Sequence, residues 1–429
     1  MTKKTWRIGV AGLGTVGGGL LDFLALRPDF APVGDRAEIT AVSARNRSRG
    51  RTTDISGMTW FDDPVALAGS PDLDVFVELI GGSDGPAKAA VEAALRSGKP
   101  VVTANKALIA VHGAELAALA EASGVPLLFE AAVMGGTPAV KMLREALVGD
   151  DISALAGILN GTCNFILSEM ESKGRSFPAV LADAQALGYA EADPTTDVGG
   201  FDAAHKISIL AALAFGCAPD FAAAEIEGIE AVEQLDISLA KDLGYRIRLI
   251  ASTERTADGV AVRVHPSLVA FGHPLAETRG ATNALFIEGT RIGRIFLQGP
   301  GAGAGPTAAA VAADIADIMT GARRPVFQAP AALLSPFVAV APDHRVGKAY
   351  LRLLVKDQAG VIAAVSETLA ECGVSIDSFL QKPVEDAGGV PIVLTTHAVA
   401  ESVLTEAINR IELLPAVLER PRLLRIARI

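Results

Sequence analysis

Four acids and two lysines are the side chains of this chain best suited to binding a small cation and moving a proton. Glu191, Asp193, Asp197 and Asp202 fall within LGYAEADPTTDVGGFDAAHK (187–206), which ends in Lys206 and continues into the apolar run ISILAALAFG. Asp202 and Lys206 are four residues apart, so on a helix they share one face. A plain surface ion pair stabilises by only ~0–1 kcal/mol and does not need three more acids beside it. A site that binds an amine and donates a proton does need that mixture. Carboxylates hold the ammonium group, and a lysine supplies a proton or stabilises a developing alkoxide. The alternatives are a metal-binding loop or a solvated acidic turn, and the lack of a D-x-D-x-D-G pattern argues against calcium. Asp193 has no role on this reading beyond the turn before Pro194. Lys106 follows the strand-like PVVTAN (100–105). Ligands of open parallel sheets sit beyond the carboxyl ends of the strands, so Lys106 is placed to meet substrate and cofactor together. The alternative is a surface lysine at a helix start.

A second device opens the chain. RIGVAGLG (7–14) reads as a strand and GGGLLDFLAL (17–26) as a helix; between them Gly12, Leu13, Gly14, Thr15, Val16 and Gly17 spell G-x-G-x-x-G. The first glycine permits a tight turn, the second lets backbone approach a pyrophosphate, and the third lets helix and strand pack closely. The helix N-terminus adds free N–H groups and partial positive charge. This predicts a dinucleotide site. NAD binders usually place an acid at the end of the second strand. Here that position reads Ser43-Ala44-Arg45-Asn46-Arg47-Ser48-Arg49. Arginines suit a 2′-phosphate, so the sequence predicts NADPH over NADH, with Arg45 the first contact; the alternative is a solvated basic loop. A later cluster, Gly299 to Pro306, precedes another helix and reads either as backbone that approaches nicotinamide or substrate, or as a hinge.

These residues need a frame. Residues 1–134 alternate strand and helix: EITAVSAR, LDVFVELIGG, PVVTAN and VPLLFEAAV as further strands, with PAKAAVEAALRSGK and KALIAVHGAELAALAEASG as helices. That alternation predicts a Rossmann-type parallel sheet covered on both faces. Residues 135–320 read as an α+β domain, with strands at ISALAGILN, GVAVRVHPSLVA and RIGRIFLQG and helices at CNFILSEMESKG and FDAAHKISILAALAFG. The Pro-rich 321–348 reads as a linker over the surface. Residues 349–429 give β-α-β-β-α-β, a ferredoxin-like order. The whole is an α/β class protein of three domains.

Composition narrows the partners. With 38 Lys and Arg against 49 Asp and Glu, the formal net charge is −11, which speaks against nucleic acid or anionic membrane as a partner. No apolar run approaches the ~20 residues that span a bilayer. The basic start turns Gly-rich at once and lacks a signal-peptide cleavage pattern. Three scattered cysteines, Cys163, Cys217 and Cys372, suggest reduced thiols of the cytoplasm. The six histidines form no metal-ligand spacing.

Taken together, the motifs resemble the homoserine dehydrogenases. The matching segments are Gly12–Gly17, ELIGG (78–82), TANKA (103–107), EAAVMGGTPAVK (130–141), GILNGTCNFIL (157–167), the acidic stretch 187–206 and GPGAGAGPTA (299–308). They run in order through the first 320 residues, and the tail resembles an ACT domain, a small amino-acid-sensing module. The resemblance implies reversible NAD(P)-dependent interconversion of L-homoserine and L-aspartate 4-semialdehyde, a step toward threonine and methionine. It implies that Lys206 is the proton donor and that Lys106 lies beside substrate and nicotinamide. Glu191 and Asp202 would bind substrate, and Gly161, Thr162, Tyr189 and Asp197 would line the pocket. Gly188 and Gly303 would touch the cofactor. A sodium ion would be held at Glu130, Val133, Gly135 and Thr137, largely by carbonyls, bracing the join between domains. The tail would sense threonine through Asp357-Gln358-Ala359-Gly360-Val361 and Gln381, although many ACT domains carry Pro where this chain has Ala359; the alternative is a dimerisation module without ligand. Family members pair through the region after residue 135, so a homodimer or homotetramer is expected. Two other functions stand beside this one: a dehydrogenase of another small amino or hydroxy acid, and an amino-acid sensor on a dead dehydrogenase, which the intact set of Lys106, Glu191, Asp202 and Lys206 argues against.

Overall fold

The structure, a computed structural model, describes residues 3–341, 345–381 and 388–429. The first domain holds β1 (Thr5–Ala11), α1 (Thr15–Leu26), β2 (Arg36–Ser43), β3 (Thr59–Phe61), α2 (Pro64–Gly69), β4 (Val75–Glu78), α3 (Pro86–Arg96), β5 (Val101–Thr103), α4 (Lys106–Ala122) and β6 (Leu127–Leu128). Its strands pair in parallel in the order β3-β2-β1-β4-β5-β6. The central β4 and β5 are buried throughout, as strands with helices on both faces must be. The strand order reverses between β1 and β4, and there a crevice opens at the carboxyl ends of the strands. The sheet is the Rossmann-type sheet the sequence predicts, with two differences. β3 escaped notice, being only three residues long. VPLLFEAAV, read as a strand, pairs only at Leu127–Leu128; the N–H of Ala132 then turns back to the carbonyl of Phe129 at 2.9 Å.

The middle region follows with α5 (Ala131–Met134), α6 (Ala139–Lys141), β7 (Ile152–Ile158), α7 (Gly161–Lys173), α8 (Phe177–Ala186), α9 (Thr195–Val198), α10 (Phe201–Phe215), β8 (Glu225–Ile226), α11 (Gln234–Asp242), β9 (Tyr245–Thr256), β10 (Gly259–Ala270), α12 (Pro274–Glu277), β11 (Thr282–Gly289), β12 (Gly293–Pro300) and α13 (Ala304–Met319). Its main sheet runs β12-β11-β7-β9-β10. β9 and β11 were not predicted. Arg246 and Arg248 interrupt the apolar pattern of β9, and burial hides the reason. Arg248 is fully buried, donating to Glu171 at 3.1 Å and to the carbonyl of Ala276 at 3.0 Å. α10 packs on β9 and β10, and its apolar run is sealed from Ile207 to Phe215.

α13 leaves this region and returns to the first domain. Val311, Ile315, Ile318 and Met319 share one core with Ile8, Val10, Leu20 and Leu24. The two helices touch at backbone distance: a Cβ on Gly19 of α1 would sit 2.6 Å from the carbonyl oxygen of Ala304. The segment after α13 is also anchored rather than laid on the surface. Phe327 is fully buried with its ring 5.6 Å from that of Phe129, and the Val338 carbonyl accepts from the N–H of Val260 at 2.8 Å.

The tail contains β13 (Val346–Gly347), β14 (Ala349–Val355), α14 (Val361–Glu371), β15 (Ile376–Gln381), β16 (Val390–Thr396), β17 (Val399–Ala400), α15 (Glu401–Glu412) and β18 (Arg422–Ile426). The order β18-β14-β16-β15 is the ferredoxin-like sheet expected. Lys382 and Pro383, read as the end of β15, lie outside the described residues. β18 also pairs in parallel with β10, Ser267 opposite Arg425 and Leu268 opposite Ile426, so the middle and tail sheets form one continuous ten-stranded sheet. No helix of the described residues is long and apolar enough to cross a membrane.

Candidate active site

α10 starts at Phe201 because Gly200 takes a φ of 85°, a conformation that favours glycine over other residues. The helix then carries Asp202 and Lys206 inward on one face; they are 4% and 7% exposed. Lys206 Nζ donates to Asp202 Oδ2 at 2.7 Å and to the carbonyl of Leu159 at 2.7 Å. Lys106 reaches the other oxygen of the same carboxylate, with Nζ 2.8 Å from Asp202 Oδ1. Asp202 thus bridges a lysine of the first domain and a lysine of the middle region.

Lys106 is held from behind. It is the first residue of α4, whose N-cap Asn105 accepts from the N–H of Leu108 at 3.1 Å. Asn105 also donates to the carbonyl of Gly82 at 2.7 Å, and its N–H donates to Thr103 Oγ1 at 2.9 Å. Thr103 donates to the fully buried Glu78 at 2.6 Å, and Glu78 accepts from the N–H groups of Ile80 and Gly81. The segments ELIGG and TANKA therefore interlock into one crevice wall. Sequence reasoning noted both without seeing this chain of contacts, since the hydrogen-bonding partners stand 25 residues apart.

The two lysines are driven in opposite directions. Burial pushes Lys206 below a lysine's ordinary range; Asp202 opposes the shift and Lys106 adds to it. The charge of Asp202 outweighs burial at Lys106 and pushes it up, with Asp197 and Glu191 helping. Burial works against ionisation of Asp202, but Lys206 and Lys106 together hold its carboxyl well below the usual range. Asp197 is half-buried, and burial plus the charge of Asp202 push it up.

The remaining predicted positions surround this centre. Asp197 lies in α9, immediately before α10. Glu191 is exposed at the rim, and its carbonyl is tied to Gln185 Nε2 at 3.0 Å. Thr162 Oγ1 donates to the carbonyl of Tyr189 at 2.8 Å, and the Tyr189 ring lies 4.8 Å from that of Phe165. Gly161 starts α7 so close to the chain opposite that a Cβ would meet the carbonyl oxygen of Ala281 at 2.6 Å. Gly188 is exposed at the end of the turn after α8. Asp193 now has a role: its Oδ1 accepts from the N–H of Thr195 at 3.1 Å and from its hydroxyl at 2.6 Å, fastening the start of α9. Asn160 is the residue that sequence reasoning missed. Its Nδ2 donates to Asp197 at 2.8 Å and to Asp202 at 2.9 Å.

The glycine loop has the form a dinucleotide requires. Gly12 has a φ of 100°, and a Cβ there would lie 2.3 Å from the carbonyl oxygen of Leu79. A Cβ on Gly17 would lie 2.1 Å from the carbonyl oxygen of Gly12, while one on Gly14 would meet nothing within 4 Å. The first and third glycines are fixed by close packing, and the second faces open space where phosphates would lie. Thr15 and Val16 open α1, with Gly14 as its N-cap. Ser43 accepts at its carbonyl from the N–H of Gly12 at 2.8 Å, so the end of β2 adjoins the loop, and Arg45 stands exposed two residues on. Arg51 braces that basic stretch by donating to the carbonyls of Asn46, Arg47 and Arg49. Gly303, the N-cap of α13, is exposed, and the Ala304 that follows it meets α1.

Glu130, Val133, Gly135 and Thr137 fall in one turn around α5. Both carboxylate oxygens of Glu130 accept main-chain N–H groups, of Val140 at 3.1 Å and Lys141 at 2.7 Å. Its own N–H donates to Asp314 of α13 at 2.8 Å. Burial pushes the Glu130 carboxyl up to about 7, with Asp314 adding to the shift. Among the described residues no group of three or more His, Cys, Asp or Glu could hold a metal. Within the turn the carbonyl of Met134 accepts from the N–H of Thr137 at 2.9 Å and that of Thr137 from the N–H of Ala139 at 2.8 Å.

Comparison with known proteins covers nearly the whole chain. Residues 12–130 match the profile "Homoserine dehydrogenase, NAD binding domain", residues 138–316 match "Homoserine dehydrogenase", and residues 349–414 match "ACT domain". A homoserine dehydrogenase of Pseudomonas aeruginosa is 44% identical over 428 residues, covering 96% of this chain and 97% of the relative. The crystal structure of a homoserine dehydrogenase from Thiobacillus denitrificans superposes with a TM-score of 0.91 at 40% identity, covering 99% of each chain. A hyperthermophilic archaeal homoserine dehydrogenase in complex with NADPH matches with a TM-score of 0.66 at 27% identity, covering 75% of this chain and 99% of that one.

Proposed function

The chain belongs to the homoserine dehydrogenase family of oxidoreductases, and we propose that it reduces L-aspartate 4-semialdehyde to L-homoserine, reversibly, on the way to threonine and methionine, with NADPH as preferred carrier. The observation that carries the mechanism is the single carboxylate of Asp202 between Lys206 and Lys106. The nicotinamide, when bound at the glycine loop, supplies the hydride. Lys206 delivers the proton to the aldehyde oxygen as negative charge grows there. Lys106, with its raised proton affinity, stays charged and stabilises that oxygen electrostatically. Glu191 at the rim and Asp202, through the oxygen now held by Lys106, take the substrate ammonium, with Asp197 adding negative charge behind them. Gly161, Thr162 and Tyr189 shape the wall of the pocket, and Gly188 and Gly303 border the cofactor.

The basic end of β2 supports NADPH. The KM for NADPH is expected below that for NADH. Arg45→Ala is expected to raise the NADPH KM roughly tenfold, as loss of one charge-assisted hydrogen bond does, and to leave the NADH KM unchanged. Initial-rate kinetics with both carriers measures this, and a preference for NADH would overturn the assignment. A sodium ion held by the carbonyls of the turn 130–137 would brace the two domains where Glu130 meets α13.

For the tail we propose an amino-acid effector site, with threonine the effector, at the exposed turn Asp357–Gly360 and Gln381 on the edge strand β15. Because β18 is shared with the catalytic sheet, deleting the tail would strip a strand from β10, so a point variant is the cleaner probe. Threonine is expected to inhibit the full-length enzyme, and Gln381→Ala to weaken that inhibition about tenfold, the loss of one hydrogen bond to a charged ligand, with uninhibited kcat unchanged. Full-length enzyme indifferent to threonine would rule out that effector. A homodimer assembled through the middle region is the expected form.

A further inference from the structure

Asn160 occupies a position that its sequence neighbours do not explain. It is the N-cap of α7, and its Oδ1 accepts from the N–H of Cys163 at 2.8 Å. A cap uses only the oxygen. The amide nitrogen points the other way, into the charged centre, and uses both its hydrogens: one bond to Asp197 Oδ1 at 2.8 Å and one to Asp202 Oδ2 at 2.9 Å. The side chain is 4% exposed. An amide nitrogen is a donor only, so both oxygens that face it must be acceptors. The two carboxylates are thereby tied together without a shared proton, although like charges in one pocket otherwise favour protonating one of them.

We propose that Asn160 is a positioning residue of the catalytic centre: it clamps Asp197 and Asp202 at a fixed separation, both as acceptors, and so keeps Asp202 aligned between Lys206 and Lys106. The oxygen it grips on Asp202 is the one that receives Lys206. Leu159, the residue before it, accepts from Lys206 through its carbonyl. Asn283 donates to that same carbonyl at 3.0 Å, so residues 159 and 160 together fix the ammonium group and its counter-ion. The charged groups that face Asp197 are Asp202 and Lys206 on α10 and Lys106 on α4; from α7 the Cys163 thiol bonds its carbonyl at 3.1 Å, and Glu230 acts on that thiol from beyond. Burial and Asp202 push the Asp197 carboxyl up, and Asn160 is first among the groups that pull it back. Without the amide, Asp197 takes up a proton at higher pH.

The inference rests on the proposed roles of the lysines, and three variants of the full-length enzyme separate the two. Asn160→Ser keeps an oxygen for the cap but offers at most one donor. It is expected to lower kcat/KM for aspartate 4-semialdehyde about tenfold, the loss of one hydrogen bond to a charged group, and to move the acidic limb of the kcat/KM profile to higher pH, with the NADPH KM unchanged. Asn160→Asp keeps a cap of equal quality while removing both donors and adding a third negative charge, so its loss is expected to be larger and its limb shifted further. A wild-type kcat/KM and an unmoved acidic limb in folded Asn160→Ser would overturn the clamp, leaving Asn160 a helix cap. Lys206→Ala, measured alongside, tests the underlying reading: if it keeps normal turnover, that reading fails first, whatever the Asn160 variants do.

Discussion

Lys206→Ala is expected to lower kcat about 100- to 10,000-fold, the range by which a positioned general acid accelerates proton transfer, while the affinity for NADPH stays as it was. The lysine sits on α10 of the middle region, whereas the glycine loop belongs to the first domain, so binding of the carrier and delivery of the proton are physically separate. Near-normal turnover by Lys206→Ala in a spectrophotometric assay of NADPH oxidation would refute the assignment. A pH effect accompanies it. Burial lowers the proton affinity of Lys206, and reduction needs the protonated form. The reductive kcat is therefore expected to fall on the alkaline side below the ordinary lysine value of about 10.4. Homoserine oxidation, which needs the neutral amine to accept a proton, should rise over the same interval. The opposed shifts of the two lysines agree with the division of duties proposed for them, Lys206 exchanging its proton and Lys106 keeping its charge.

Asp202→Ala is expected to damage fold and rate together. It removes the only carboxylate within ion-pair distance of Lys206 among the described residues. A buried charge stripped of its partner costs about 3–5 kcal/mol, while the more open Lys106 adds little. The variant should melt at a clearly lower temperature than wild type and should lose turnover comparably to Lys206→Ala. Asp202→Asn fills the same space and lacks the charge, so it is expected to recover part of the stability but not the rate. Thermal melting and kcat measured on both variants check this. Unchanged melting and turnover in Asp202→Ala would show that the buried i,i+4 pair supports neither fold nor rate.

Much of this site is legible before any coordinates. Asp202 and Lys206 needed only a helical period, and the apolar run after them supplied it. Lys106 needed only a strand ending in a parallel sheet. What one-dimensional reasoning could not supply was that both lysines bind the same carboxylate, since that depends on how two domains close on each other. Asn160 stayed hidden for a related reason: beside Gly161 it reads as an ordinary cap, and its second function depends on residues 37 and 42 positions away. In the frame, β9 was lost because Arg248 breaks its apolar pattern, and the charge is tolerated there because Glu171 and the Ala276 carbonyl pair with it. The β-α-β-β-α-β order of the tail was legible because its elements are short and regular, whereas the pairing of β18 with β10 was not, since it joins residues far apart in the chain.

α13 gives the chain an unusual order of assembly. The core begun by Ile8, Val10, Leu20 and Leu24 is completed by Val311, Ile315, Ile318 and Met319. Contacts of such long sequence separation form late, because the intervening loop must close first. On the ribosome, the nucleotide-binding sheet is translated at the outset, yet one face of it is covered only in part, by α1, until the helix ending at Met319 has emerged. The domain that is made first is therefore not the one that can be finished first, and the nascent chain carries an open apolar surface through most of its own synthesis.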